Sequence, residues 1–187
     1  MHVRRPAIRM THPGARRAAA GFTLIELLVG VAILAVLAAL AAPSFNEAIL
    51  SNRLASYANT FVASAQLARS EAIKRNATVV MCRSADGVSC ATAGTWQQGW
   101  ILWRDADNDA TVDADEIIQK QQAISSDYHF TADAYSVNFL GTGLVSGGPV
   151  TLSLCRAVPE PGRQERALQL WPTGRVSVTK TTEGICA

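Results

Sequence analysis

The stretch FTLIELLVGVAILAVLAALAA, residues 22–42, is the feature that decides the fold of this chain. Its only charged residue is Glu26. A helix of this length spans about 30 Å, which is the thickness of the hydrocarbon core of a bilayer. Residues 1–21 contain five arginines and no acidic residue. Because positive charge stays on the cytoplasmic side, we expect a cytoplasmic segment 1–21, a transmembrane helix 22–42, and a remainder on the far side of the membrane.

Two simpler interpretations of this stretch compete. A secretory signal peptide would be cleaved near residues 39–41, which read Ala-Leu-Ala, but the apolar run exceeds the 7 to 15 residues typical of a signal core. A plain membrane anchor explains the length and orientation but not Glu26. A carboxylate at membrane depth costs about 2.5 to 3.5 kcal/mol, so it indicates a function and requires a partner.

The chain beyond residue 42 changes from helical to strand-type patterning. Apolar residues at steps of three and four predict that residues 43–76 continue the helix as an amphipathic segment. They are Leu50, Leu54, Tyr57, Phe61, Ala65, Ala68 and Ala72. Residues 77–187 hold short β-type runs separated by turn residues, at 78–83, 96–104, 116–121, 137–140, 150–155, 167–171 and 175–179. The sequence therefore predicts an α+β fold in which an antiparallel sheet covers a long N-terminal helix.

All four cysteines lie after the apolar segment, which suits an oxidising compartment. We favour pairing Cys82 with Cys90, which closes a short loop, and Cys155 with Cys186, which fastens the chain end. Zinc ligation and free buried thiols are the alternatives, but the sequence has no C-x-x-C pair.

Charge and motif content narrow the class of protein. Five of the 17 basic residues lie in 1–21, so the rest of the chain carries 12 basic and 15 acidic residues and has no general attraction for nucleic acid. His129 is the single histidine outside residues 1–21, and no nucleophile elbow, phosphate loop or HExxH motif occurs. We predict that the protein is not an enzyme and needs no cofactor, calcium excepted.

The segment GFTLIELL, residues 21–28, resembles the processing motif of type IV pilins and type II secretion pseudopilins. The resemblance implies cleavage after Gly21 by prepilin peptidase, methylation of Phe22, and assembly with other pilins on an inner-membrane platform. Glu26 would neutralise the new amine of a neighbouring subunit. Pro43 matches a position where pilins often carry proline, and it predicts a helix kink.

Downstream segments resemble GspH/FimT-type minor pilins and carry the likeness over nearly the whole chain. They are residues 68–75 (ARSEAIKR), the strand 79–82, Trp96 with residues 99–100, and residues 173–175 (TGR). The implied function is a structural minor subunit of a type II secretion pseudopilus or a type IV pilus. The implied fold is the type IV pilin-like α+β fold.

An acidic run offers one metal hypothesis. Asp105, Asp107, Asp109, Asp113 and Glu116 occupy positions 1, 3, 5, 9 and 12 of a calcium loop. Ala110 stands where such a loop has its glycine, and strand-like segments flank it. We therefore favour a solvated acidic hairpin tip over a calcium site.

The C-terminal cations offer a second hypothesis, DNA binding for uptake in natural transformation. Some related minor pilins bind DNA through two arginines spaced two apart after a glycine, whereas here Arg175 follows Gly174 and Ser177 replaces the second arginine. Arg163, Arg166 and Lys180 complete the basic set. We favour a solvated loop face with one structural arginine. The four tryptophans, Trp96, Trp100, Trp103 and Trp171, are interpreted as core or interface aromatics rather than a ligand platform.

Overall fold

The computed structural model describes residues 21–107, 109, 111–157 and 165–181, except for the side chains of residues 41–44, 46 and 47. The predicted segment 1–21 therefore lies outside the described residues, apart from Gly21. The chain divides into two compact units, Met1–Ser44 and Phe45–Ala187. Among the described residues, no helix offers an uninterrupted stretch that is both long and apolar enough to cross a membrane. The span predicted for residues 22–42 stays a prediction.

A single helix, α1, runs from Leu24 to Arg75, as the sequence patterning predicted. At its start, the backbone N–H of Glu26 donates to the Thr23 hydroxyl over 3.3 Å. At its end, Asn76 adopts a left-handed conformation with φ 47°, a common way to terminate a helix. Pro43 lies within α1, but its side chain is not among those described, so the predicted kink is untested.

The described residues form nine strands in two antiparallel sheets, where the sequence predicted one sheet. The first sheet has the order β3-β2-β1-β5-β6 and the second has the order β4-β7-β8-β9. The strands are β1 Val79–Arg83, β2 Trp100–Trp103, β3 Ile117–Gln121, β4 Tyr128–Ala132, β5 Ser136–Phe139, β6 Val145–Ser146, β7 Val150–Arg156, β8 Glu165–Leu170 and β9 Val176–Thr181. The sequence patterning missed β4 and β6, and a short 3₁₀ helix, Trp96–Gln98, replaces the start of one predicted strand.

The core forms where one face of α1 meets the inner faces of both sheets. Phe61 of α1 is fully buried and makes edge-to-face contacts with Trp96, Trp100 and Phe130, with ring centroids 5.3 to 5.7 Å apart. Small residues of α1, among them Ala65 and Ala68, are also fully buried, which lets the sheets approach the helix. The predicted apolar stripe of the helix is therefore the inner wall of the core.

Candidate functional site

The N-terminal motif residues lie at the exposed start of α1. Phe22 is 84% exposed, and every described side chain from Gly21 to Leu40 is exposed. Glu26 sits in the first turn of α1, where a carboxylate is favoured by the helix dipole. A continuous apolar surface of this size indicates that lipid or other helices cover this segment.

The predicted acidic loop follows β2 and brings three of its carboxylates together. One carboxylate oxygen from each of Asp105, Asp107 and Asp109 lies within 4.8 Å of the other two. The Thr111 hydroxyl and its N–H donate to Asp109 over 2.6 to 2.7 Å and lower its pKa. This cluster offers oxygen ligands of the kind that calcium prefers.

The other two predicted ligands serve a different purpose in the loop. Glu116 is only 8% exposed, and its carboxylate accepts hydrogen bonds from the backbone N–H groups of Ala106 and Asp113. Partial burial raises the pKa of Asp113, and the carboxylates of Asp109 and Glu116 raise it further. The structure therefore gathers three of the five predicted ligands, while Glu116 closes the hairpin. Calcium binding stays a prediction.

A disulfide joins Cys82 and Cys90, the first of the two predicted pairs, with 5.6 Å between their Cα atoms. Hydrogen bonds from the Ser89 hydroxyl and nearby backbone N–H groups hold the pKa of Asp86, at the tip of this loop, well below its usual range. Cys155 is also disulfide-bonded, and its predicted partner Cys186 lies outside the described residues.

Within the predicted basic set, Arg166 is used for a contact inside the domain, which does not favour the DNA-binding role predicted for it. Arg166 is 7% exposed, and its guanidinium donates to the hydroxyl and carbonyl oxygens of Ser51 on α1. Burial lowers its pKa, and its side chain is used inside the domain. Arg175 and Lys180 are exposed, and Arg163 lies outside the described residues. For the remaining cations, DNA binding stays a prediction.

Three of the four tryptophans are buried, as predicted for core aromatics. Trp96 and Trp100 are fully buried, and the indole N–H of Trp96 donates to the Ala134 carbonyl over 2.9 Å. Trp103 is 7% exposed and faces the outer side of the first sheet. Trp171 differs, because it is 40% exposed at the turn that leads into β9.

A contact that the sequence analysis did not identify joins α1 to two turns. The Arg69 side chain donates from Nε to the Gly143 carbonyl over 3.0 Å. Gly174, with φ +77°, lies so close that an added Cβ would be 2.6 Å from that carbonyl oxygen and 2.9 Å from Arg69. The available signal was that Arg69 and Gly174 both lie in segments that resemble the minor pilins, residues 68–75 and 173–175. Gly143 is 74 residues from Arg69, so this contact could not be read from spacing.

The comparisons with known proteins identify the family. The family model for the type II transport protein GspH matches residues 57–174, which is more than half of the chain. The chain belongs to the GspH family. The prokaryotic N-terminal methylation motif also matches, over residues 16–42. No curated protein sequence matches the chain. GspH-family membership implies a structural pilin-like subunit that assembles with others of its kind in a filament, and the methylation motif implies anchoring in the inner membrane.

Two solved structures are similar to this GspH-family chain. The type IV minor pilin FimU of Pseudomonas aeruginosa is 19% identical, with a TM-score of 0.51 over 68% of this chain and 89% of FimU. The minor pseudopilin EpsH of Vibrio cholerae is 17% identical, with a TM-score of 0.48 over 66% of this chain and 94% of EpsH. The FimU likeness confirms the predicted type IV pilin-like α+β fold.

The range matched by the GspH family model begins in α1 and ends at the Gly174 turn. It therefore includes Arg69 and both of the glycines that it joins. In this GspH-family chain, residues that resembled family motifs in the sequence meet in one place and hold the helix against the turns of both sheets.

Proposed function

We propose that this chain is a minor pseudopilin or minor pilin that is cleaved after Gly21 by prepilin peptidase and methylated on Phe22. It is then built into a type II secretion pseudopilus or a type IV pilus. The observation that carries the proposal is that both family matches include parts of the same helix, α1. The methylation-motif match over residues 16–42 ends within α1, and the GspH-family match begins at residue 57 of the same helix.

The proposed location is a single pass through the inner membrane, with residues 1–21 in the cytoplasm and residues 77–187 in the periplasm. The arginines of residues 1–21 and the apolar run 22–42 support this orientation. The Cys82–Cys90 disulfide also supports it, because such bonds persist in the bacterial periplasm.

Glu26 is proposed to act during assembly on the inner-membrane platform. Cleavage would create a cationic amine on Phe22, and Glu26 lies four residues further along the chain, in the first turn of α1. Within the apolar environment of packed helices, the carboxylate of one subunit would pair with the amine of its neighbour. Apolar contact provides the attraction between helices, and this ion pair selects their register.

A neutral but isosteric variant, Glu26→Gln, tests the role of the charge. We expect the same amount of protein in the membrane fraction as for the unchanged chain. The amount in sheared filaments should fall about tenfold, equivalent to about 1.4 kcal/mol. Glu26→Asp retains the carboxylate and is the matched control, expected to assemble better than Glu26→Gln. Normal incorporation of Glu26→Gln into filaments would contradict the proposed role.

A further inference from the structure

The outer face of the second sheet, on the side away from α1, holds two buried side chains. Leu154 of β7 lies in the core, so the alternation along a strand turns Cys155 to the outer face. Arg166 of β8 reaches α1, so its neighbour Glu165 also points outward. Because Leu154 pairs with Arg166, the next step of the register places Cys155 opposite Glu165. The two residues are therefore cross-strand neighbours on one face.

This row of neighbours continues on both sides. His129 of β4 pairs with Cys155, and Thr181 of β9 pairs with Glu165. Cys155 and Glu165 are fully buried, whereas His129 is exposed and Thr181 is partly exposed. Thr151, on the same face of β7, is exposed as well. A cover therefore lies over the row at β7 and β8, and it ends before β4.

The cover belongs to the chain and meets a charged group. Cys155, Glu165 and Thr181 each interact with another residue of the chain. A carboxylate is almost never fully buried unless hydrogen bonds or an opposite charge compensate it. A segment of backbone laid over Glu165 would supply N–H donors to this carboxylate. The buried Glu165 carboxylate therefore fits beneath a stretch of main chain.

A disulfide indicates which stretch of chain reaches this row. Cys155 is disulfide-bonded, and Cys82 and Cys90 are bonded to each other. Cys186 is the fourth cysteine of the sequence, and it follows closely after Thr181, the last residue of β9. Cys186 is thus the cysteine left to bond Cys155.

The distances allow this bond. The strand order places β8 between β9 and β7, so the path from Thr181 to Cys155 crosses two strand spacings, about 10 Å. Residues 182–186 reach at most about 17 Å when extended. Because the Cys155 side chain lies on the outer face, the path crosses β8 on that face, at the level of Glu165.

We propose that residues 182–186 form a strap that crosses the outer face of the second sheet over Glu165 and is latched to β7 by a disulfide between Cys155 and Cys186. The strap holds β9 against the sheet, because β9 stands at the end of the order of described strands, next to β8. The latch is redox-sensitive, so its state decides whether this edge of the sheet is fixed. The inference rests on the fold of the domain and goes beyond the proposed role in a filament.

Closing the latch is an oxidation. The Cys155 and Cys186 thiols together lose two protons and two electrons as the S–S bond forms. The disulfide of an oxidised dithiol protein accepts them through thiol–disulfide exchange and becomes two thiols. Such oxidants act in the compartments where disulfides persist. The latch therefore closes only after the domain has reached such a compartment.

With the latch open, we expect β9 to separate from β8 more often than the strands of the first sheet separate from each other. An exposed strand edge pairs readily with other chains. Glu165 also becomes accessible to water. Opening the latch should thus have two local signatures, faster amide exchange in β9 and an accessible Glu165 carboxylate.

Carboxylate labelling of the full chain in detergent tests the cover. A water-soluble carbodiimide and an amine modify accessible carboxylates, and mass spectrometry gives the extent of modification at each residue. In the unchanged chain, Glu165 should remain unmodified while the exposed Asp127 is modified. The double variant Cys155→Ser, Cys186→Ser should raise the modification of Glu165 about tenfold and leave that of Asp127 unchanged.

Hydrogen exchange of the same proteins tests the latch. In the double variant Cys155→Ser, Cys186→Ser, the amides of β9 should exchange about tenfold faster, whereas those of β1 should not change. The matched control is Cys82→Ser, Cys90→Ser, which removes the disulfide of the first sheet and should leave β9 unchanged. Reducing this folded control with a phosphine opens only the latch, and should accelerate β9 without requiring any variant to fold unlatched.

Each result supports or overturns the strap. Trypsin digestion without reduction should yield residues 121–156 linked to residues 181–187, and the absence of that link would overturn the latch. A Glu165 carboxylate that stays unmodified after the latch is opened would overturn the strap as the cover. Equal acceleration in β9 and β1 would overturn the local role of the latch, because the disulfide would then stabilise the whole domain. None of these readouts depends on filament assembly, so they stand apart from the proposed function.

Discussion

Replacing Gly174 by alanine should destabilise the domain strongly, because the new methyl group would have both an unfavourable backbone conformation and no room. The residue has φ +77°, a conformation that costs an alanine about 1 to 2 kcal/mol. The new Cβ would also lie 2.6 Å from the Gly143 carbonyl oxygen and 2.9 Å from Arg69. To relieve the contact, Arg69 must move and lose its bond to that carbonyl, worth about 1.5 to 3 kcal/mol for a charged donor.

The expected loss for Gly174→Ala is therefore about 2.5 to 5 kcal/mol in the free energy of unfolding. Gly147→Ala is the matched control, because Gly147 also has a positive φ, +93°, but an added Cβ there has nothing within 4 Å. For that variant, the free energy of unfolding should fall only by the cost of the positive φ, about 1 to 2 kcal/mol. The difference between the two variants isolates the contact with Arg69 and Gly143.

Urea unfolding of the full chain in detergent, followed by fluorescence of the buried Trp96 and Trp100, measures both losses. In thermal unfolding, the same losses correspond to about 10 to 15 °C for Gly174→Ala and about 5 °C for Gly147→Ala. Equal losses for the two variants would refute the reasoning, because positive φ alone would then explain the whole effect.

Three further predictions concern other parts of the domain. Arg166→Met should lower the free energy of unfolding by about 1.5 to 3 kcal/mol, because the half-buried Ser51 oxygens on α1 lose their charged donor. The exposed Lys180→Met should lower it by less than about 0.5 kcal/mol in the same assay, and similar losses for the two variants would contradict the structural role. Replacing Cys82 and Cys90 together by serine should lower the free energy of unfolding by about 2.5 kcal/mol, the loop-closure effect of a disulfide with a sequence separation of 8. An unchanged urea midpoint would contradict this prediction. The folded state raises the pKa of Asp113, so its ionised form opposes folding at pH values above the ordinary pKa of 3.8. Asp113→Asn should therefore raise the melting temperature at pH 7 in EDTA, and this gain should vanish below pH 3.8. A gain that persists in acid would contradict the electrostatic cause.

The elements with strong local periodicity could be predicted from the sequence. The apolar steps from Leu54 to Ala72 fix one face of α1, and the end of the helix near Arg75 follows from the strand-type residues beyond it. Strand β4 was missed although its residues alternate between buried and exposed, as Tyr128, His129 and Phe130 show. The division into two sheets depends on which strands pair, and pairing is set by contacts that no local pattern contains.

The candidate sites could also be predicted only where the residues involved are close together in the sequence. The Cys82–Cys90 pair closes a short loop, and spacing was enough to predict it. Arg166 looked like a surface cation because its acceptor, Ser51, is 115 residues away in the sequence. Charge and motif were visible in the sequence, but burial was not.

The most direct test of the central claim is the intact mass and N-terminal sequence of the protein purified from membranes of its native host. The account predicts a chain that begins at Phe22 and is heavier by one methyl group on its amine. A chain that begins near residue 42 or 43 would contradict the account, because it would identify residues 22–42 as a removed signal segment and leave a secreted domain with no assembly helix.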